Sequence, residues 1–143
     1  MYREAFIMPT ATEIHDTSDF PIVRFLAGKA HEGYGDAWCV EMDALLARDA
    51  RFVLIYLAAE RKEGHEDRKK RGAWLKANKD ALAGKCLALI IVEPDAEKRA
   101  ELEAIFPNLV RAFGTPQAAR ATQAEAEALG RHVLASDPDD DVA

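Results

Sequence analysis

Two stretches, Arg51-Phe52-Val53-Leu54-Ile55-Tyr56-Leu57 and Cys86-Leu87-Ala88-Leu89-Ile90-Ile91-Val92, decide how this chain reads. Both are continuously apolar. A strand with one face in water alternates apolar and polar residues, because successive side chains point to opposite faces. A continuous run needs cover on both faces. Both stretches are therefore predicted to be central strands of a helix-covered sheet.

The segments around them fit that role. A charged loop, Glu60 to Gly64, leads to a helix predicted over His65 to Ala83. Its apolar stripe is Trp74, Leu75, Ala77, Ala81 and Leu82, and Gly84 is its expected C-terminal cap. Upstream, Trp38, Met42, Leu45 and Leu46 recur at helical spacing within Gly35–Arg48, with Asp36, Glu41, Asp43 and Arg48 facing away. Phe20 to Ala27 reads as a strand ended by Gly28. Thr12 to His15 reads as an edge strand joined to it through a turn at Asp16–Asp19. Downstream, Pro94 and Asp95 open a helix carrying Leu102, Ile105, Phe106, Leu109 and Val110. Pro107 is expected to kink or split it, and Gly114 to stop it. Gln117 to Ala121 reads as a strand. Thr122-Gln123-Ala124-Glu125 is a capping box opening a last helix through Leu134. Trp38, Trp74 and Cys86 are expected in the core.

The order is β-β-α-β-α-β-α-β-α. It predicts an α/β fold: a mixed, mostly parallel sheet with an N-terminal antiparallel hairpin and crossover helices. Residues 1–11 read as an arm, 12–135 as one domain and 136–143 as an acidic, mobile tail.

Composition excludes several classes. The 143 residues carry 19 Lys and Arg against 25 Asp and Glu, a net charge of −6. That balance argues against nucleic acid as a partner, which needs a basic surface. No apolar run nears the ~18 residues that span a bilayer, and no signal peptide is visible, so no membrane role is expected. Two cysteines, Cys39 and Cys86, are too few for a disulfide scaffold, and a cytoplasmic setting is expected. Four of the negative charges, Asp137, Asp139, Asp140 and Asp141, belong to the tail.

The order of elements resembles the SpoIIAA-like fold shared with STAS domains. The hairpin around Asp16–Asp19, the strand Phe20–Ala27 ending at Gly28, the two apolar strands and the closing Phe113 with Glu125-Ala126-Glu127-Ala128-Leu129 carry the resemblance, over residues 12–135. It implies a small bacterial non-enzymatic module that binds protein partners and sometimes nucleotides. In the anti-sigma-antagonist branch a phosphorylatable Ser follows a central strand. Here the matching segment, Leu57 to Asp67, contains neither Ser nor Thr.

Chemistry in a parallel sheet gathers beyond the carboxyl ends of the strands. Two loops expected there hold His31-Glu32-Gly33-Tyr34 and Gly64-His65-Glu66-Asp67. Imidazoles titrate near neutrality and carboxylates orient them, so His31, His65 and Glu66 are candidate acid–base groups. Glu32, Tyr34, Arg61, Arg68 and Arg71 are candidates for binding a small anionic ligand. Arg61 to Arg71 is locally cationic and begins a helix, where anions are favoured. The plainer reading is a solvated helix face with i,i+4 pairs, Glu66–Lys70 and Asp67–Arg71. No metal spacing and no glycine-rich phosphate loop occurs, so no metal or cofactor is expected. The only serines, Ser18 and Ser136, do not suit a Ser-His-Asp triad. The remaining expectation is a protein partner or a homodimer formed through an apolar helix face around Ile105–Val110.

Overall fold

The computed structural model describes residues 14–26, 30–57 and 64–136. The arm, the tail beyond Ser136 and Arg61 lie outside these described residues. Five strands form one sheet: β1 (His15–Asp19), β2 (Ile22–Phe25), β3 (Phe52–Leu57), β4 (Cys86–Val92) and β5 (Gln117–Arg120). Their spatial order is the order of the chain. β1 runs antiparallel to β2, and the other neighbours are parallel. Five helices accompany them: α1 (Gly35–Ala47), α2 (His65–Ala77), α3 (Lys79–Lys85), α4 (Ala96–Phe113) and α5 (Gln123–Ala135).

The hairpin differs from the expectation. Asp16 to Asp19 lies inside β1, and the turn sits at Phe20-Pro21, whose peptide bond is cis. Asp16 Oδ1 accepts from the Ser18 N–H and hydroxyl at 2.9 and 2.7 Å. That local turn produces an irregularity in the β1–β2 ladder between Asp16 and Asp19 instead of the chain reversal.

The long helix expected over 65–83 is two helices. Asn78 separates them: both its backbone N–H and its side-chain amide donate to the Trp74 carbonyl, each at 2.9 Å. A side chain competing for a helical carbonyl ends a helix. The new direction of α3 buries Leu82, and Gly84 falls inside α3 instead of capping it. Pro107 does not split α4. Its exposed position leaves the freed carbonyl one turn earlier in water. Gly114, with φ of +84°, ends α4 as expected. The Thr122 hydroxyl accepts from the Glu125 N–H, capping α5.

The sheet is covered on both sides. On its first face Val23, Phe25, Phe52, Leu54 and Cys86 pack with Trp38, Met42 and Leu45 of α1, Trp74 of α2 and Leu82 of α3. On the second, Ile22, Val53, Ile55, Ala88, Ile90 and Val92 pack with Ala126 and Leu129 of α5. Crossovers that are right-handed and all step one way place their helices on one face. The second face is therefore left to α5. The continuous apolarity of β3 and β4 reflects this arrangement, since odd and even residues bury on opposite sides.

Two features hold α5 to the sheet. Gly130 lets the helix backbone approach: a Cβ there would meet Val53 Cγ1 at 3.4 Å, the near edge of ordinary contact. Arg24, on β2, donates from Nε to Glu127 Oε2 at 2.7 Å, and Gln123 Nε2 donates to the same oxygen at 2.8 Å. The Arg24 guanidinium, then the Gln123 amide, hold the Glu127 carboxyl down to about 2 from an ordinary value of 4.5.

Two outcomes are expected. Glu127 is depressed in the folded state, so its contribution is complete above pH 4.5 and disappears as pH falls toward 2. After screening it is worth about 1–2 kcal/mol. Urea midpoints of the native chain should fall over that window, and Glu127→Gln should flatten the fall. Gly130→Ala should stabilise by about 0.5 kcal/mol, because a methyl fits and a helical glycine costs entropy. A loss of more than 1 kcal/mol would show that α5 is packed more closely than this.

Candidate functional site

The loop before α1 and the start of α2 do meet. Asp67, 2% exposed, joins them. Its Oδ2 accepts from the Gly33 N–H and its Oδ1 from the Gly35 N–H, both at 2.8 Å. Helix α1 receives no side-chain cap from its own N-cap residue, Tyr34. Asp67 supplies that cap from another helix, and its charge suits the positive end of the α1 dipole. Space is tight there: a Cβ on Gly35 would lie 3.0 Å from Asp67 Oδ1 and 3.1 Å from its Cα. Gly33, at φ +91°, has the left-handed backbone that brings its N–H round.

The structure distributes the sequence candidates around this tie. His31, Glu32, His65, Glu66 and Arg68 are exposed on the rim. Tyr34 is buried, its ring 6.3 Å from that of Phe25, so it belongs to the core. Lys70 Nζ reaches Asp36 Oδ2 of α1 at 3.0 Å, and the Asp67 oxygens serve backbone N–H groups. Among the described residues no group of three or more His, Cys, Asp and Glu side chains is placed to hold a metal.

Arg71 is different. Its guanidinium carbon sits 5.3 Å from the centre of the Trp38 ring, and both side chains line a cavity of about 250 Å³. The cavity lies between the first face of the sheet and α1 to α4. Leu54, Leu89, Ile91, Leu109 and Phe113 form its apolar wall. Its polar points are few. Tyr56 stacks on Phe25, ring centres 4.6 Å apart. Burial raises the Tyr56 phenol above its usual range, against the opposing pull of the Arg71 guanidinium and the Trp38 indole N–H. Cys86 is pushed up to about 12 by burial, so it stays a thiol. At the other end stand Thr115 and Gln117.

Two buried polar atoms on this wall, Thr115 Oγ1 and Gln117 Oε1, make no hydrogen bond among the described residues. A buried polar group without a partner costs about 1–3 kcal/mol. A few polar groups converging on an apolar cavity are the usual make-up of a small-molecule site.

A second buried polar pair lies beneath α1. Glu41, expected to face water, is 5% exposed. It accepts from the His15 N–H at 2.8 Å and the Ile14 N–H at 3.2 Å, and its Oε1 lies 2.6 Å from His15 Nδ1. It ties the edge strand to the helix. The signal was in the spacing: Trp38, Glu41, Met42 and Leu45 follow i, i+3, i+4, i+7, so Glu41 occupies the apolar stripe. Asp67, Arg71 and Trp74 share a face at i, i+4, i+7 in the same way. Thr115 and Gln117 gave no comparable signal, because nothing local says that the entry to β5 borders a cavity.

No protein-family model matches the chain, and no curated protein or solved structure matches it.

Asp67→Asn keeps the shape but removes the charge and puts an NH₂ where one of the two acceptors stood. It should destabilise by about 1–3 kcal/mol in urea unfolding. Gly35→Ala should cost at least as much, because the obstruction includes the Asp67 backbone. A neutral result for both would remove Asp67 as the tie between the loops.

Proposed function

We propose that this chain is a small, non-enzymatic binding module of the SpoIIAA-like, STAS-like kind, and that its ligand is a small anionic molecule held in the cavity under α1 to α4. The observation that carries this is the cavity itself: an apolar space bordered by Arg71 and Tyr56 and, at its other end, by the buried polar atoms Thr115 Oγ1 and Gln117 Oε1. The sequential sheet with one antiparallel edge supports the family reading. The segment Leu57–Asp67, lacking Ser and Thr, gives a phospho-switch no acceptor. The two free cysteines suit a cytoplasmic setting, and no helix among the described residues is long and apolar enough to cross a membrane.

Arg71 is the anchor in this reading. It combines a permanent charge with a planar fork of donors that matches a carboxylate. His31, Glu32, His65 and Glu66 are exposed and are not among the residues that line the cavity. A cavity of 150 Å³ holds benzene, so about 250 Å³ takes a ring with substituents.

The test is thermal unfolding of the full chain with phenol, indole and benzoate, three ring-sized probes. A probe at ten times its Kd should raise Tm by about 3–6 °C. Leu109→Phe, which fills the chamber from α4, should abolish the response. Unchanged melting with all three, or an equal response in the filled variant, would contradict a ligand site here.

A further inference from the structure

We infer that the end of the cavity at the start of β5 is a recognition point for a hydroxyl group, and that Thr115 and Gln117 select a ligand that carries one. This rests on the reading of the cavity as a binding site and adds the chemistry that one end of the ligand must have.

Two polar side chains meet at that end. Thr115 is 3% exposed and Gln117 is half-buried, and both line the cavity. Thr115 Oγ1 and Gln117 Oε1 are buried without a hydrogen bond among the described residues. The turn around them is held by the backbone. The Gly114 N–H donates to the Val110 carbonyl at 2.6 Å, and the Pro116 carbonyl accepts from the Leu89 N–H at 2.9 Å.

The local chain aims both side chains the same way. Pro116 excludes the helical region for the residue before it, so Thr115 is extended like the strand that follows. Positions i and i+2 of an extended chain point to one side. Gln117 stands beside Leu89 in the β4–β5 register, and Leu89 packs against the core of the first face. Both polar groups therefore rise from that face, roughly 6.6 Å apart along the backbone. One hydroxyl, hydrogen-bonded at about 2.8 Å on each side, bridges such a pair.

The donor and acceptor inventory selects the guest. A side-chain carbonyl oxygen only accepts, so the guest must bring a proton to Gln117. The Thr115 hydroxyl can then donate to the guest's own oxygen. A hydroxyl meets both demands with one atom. An ether oxygen accepts from Thr115 and leaves Gln117 unpaired. A carboxylate has no proton to give, so an acid in the cavity turns its charged group away from this end. An ammonium can donate, but two neutral oxygens do not offset the lost hydration of a buried charge. Leu89, Leu109 and Phe113 belong to the same lining, so the hydroxyl is carried on an apolar body.

Stability separates recognition from folding. An unpaired buried polar atom costs stability, and an apolar side chain of the same shape does not. Replacing these two residues should therefore cost binding without costing stability.

Isothermal titration of the full chain with phenol, anisole and toluene tests this. Their ring substituents donate and accept, accept only, or do neither. Each affinity is taken relative to toluene, which removes the contribution of the ring. Thr115→Val with Gln117→Leu should retain toluene binding and lower the phenol-to-toluene ratio about tenfold. Gln117→Leu alone should lower the phenol ratio about fivefold and leave the anisole ratio unchanged, since only phenol donates. Thr115→Val alone should lower both ratios. The Tm of each variant should equal or exceed that of the unmutated chain. An unchanged phenol ratio in the double variant, or a ratio lost together with a fall in Tm, would overturn the hydroxyl assignment and leave the cavity reading standing. Toluene or benzoate binding without phenol would do the same. No binding by phenol, anisole, toluene or benzoate would overturn both.

Discussion

Every crossover in this protein steps the same way across the sheet, and that single constraint shapes the rest. It puts α1 to α4 on one face and leaves the other to α5. The second face is filled simply, by a helix whose Gly130 and Ala126 let it sit close to Val53 and Ile90. The first face is harder to fill. Four helices of different lengths must cover five strands, and the break at Asn78 turns α3 down onto Cys86 while α4 lies over the far edge. The space left between them is the cavity. The site is thus a product of the topology: four helices do not tile the face, and the gap falls where Arg71, Tyr56, Thr115 and Gln117 reach it.

Two buried carboxylates hold that crowded face in register. Glu41 fastens α1 to the edge strand through His15 and Ile14. Asp67 fastens α2 to the loop before α1 through Gly33 and Gly35. Each takes backbone N–H groups that would otherwise be unpaired, which is what makes burying a carboxylate tolerable. The Asp67 tie also bears on the cavity. It fixes the first turn of α2, and Arg71 lies one turn further along the same face. Arg71, which lines the cavity, is therefore positioned by a contact outside it.

Much of the architecture was legible in the chain. The runs 51–57 and 86–92 announced strands buried on both sides, and Gly114 and Thr122 marked helix ends by their backbone chemistry. The turn at Phe20-Pro21 was hidden because Asp16 and Ser18 carry stronger turn signals, which the fold spends on a ladder irregularity. The split at Asn78 was hidden because the apolar stripe runs on past it. The site was legible in part. Arg71 stood out in a cationic segment of an acidic chain. Tyr34 did not behave as an edge residue, because the Phe25 ring and α1 enclose it. The cavity is a tertiary gap, and no local pattern encodes a gap.

The central claim is that the first face of the sheet holds a small acid and the second face is structural. Methyl-resolved NMR of the full chain titrated with benzoate tests it most directly. Leu54, Leu89 and Ile91 should shift together and saturate with one affinity, because they line the chamber. Val53, Ile55 and Ile90, on the same strands but beneath α5, should stay in place. Shifts confined to the α5 face, or none at saturating probe, would contradict the account.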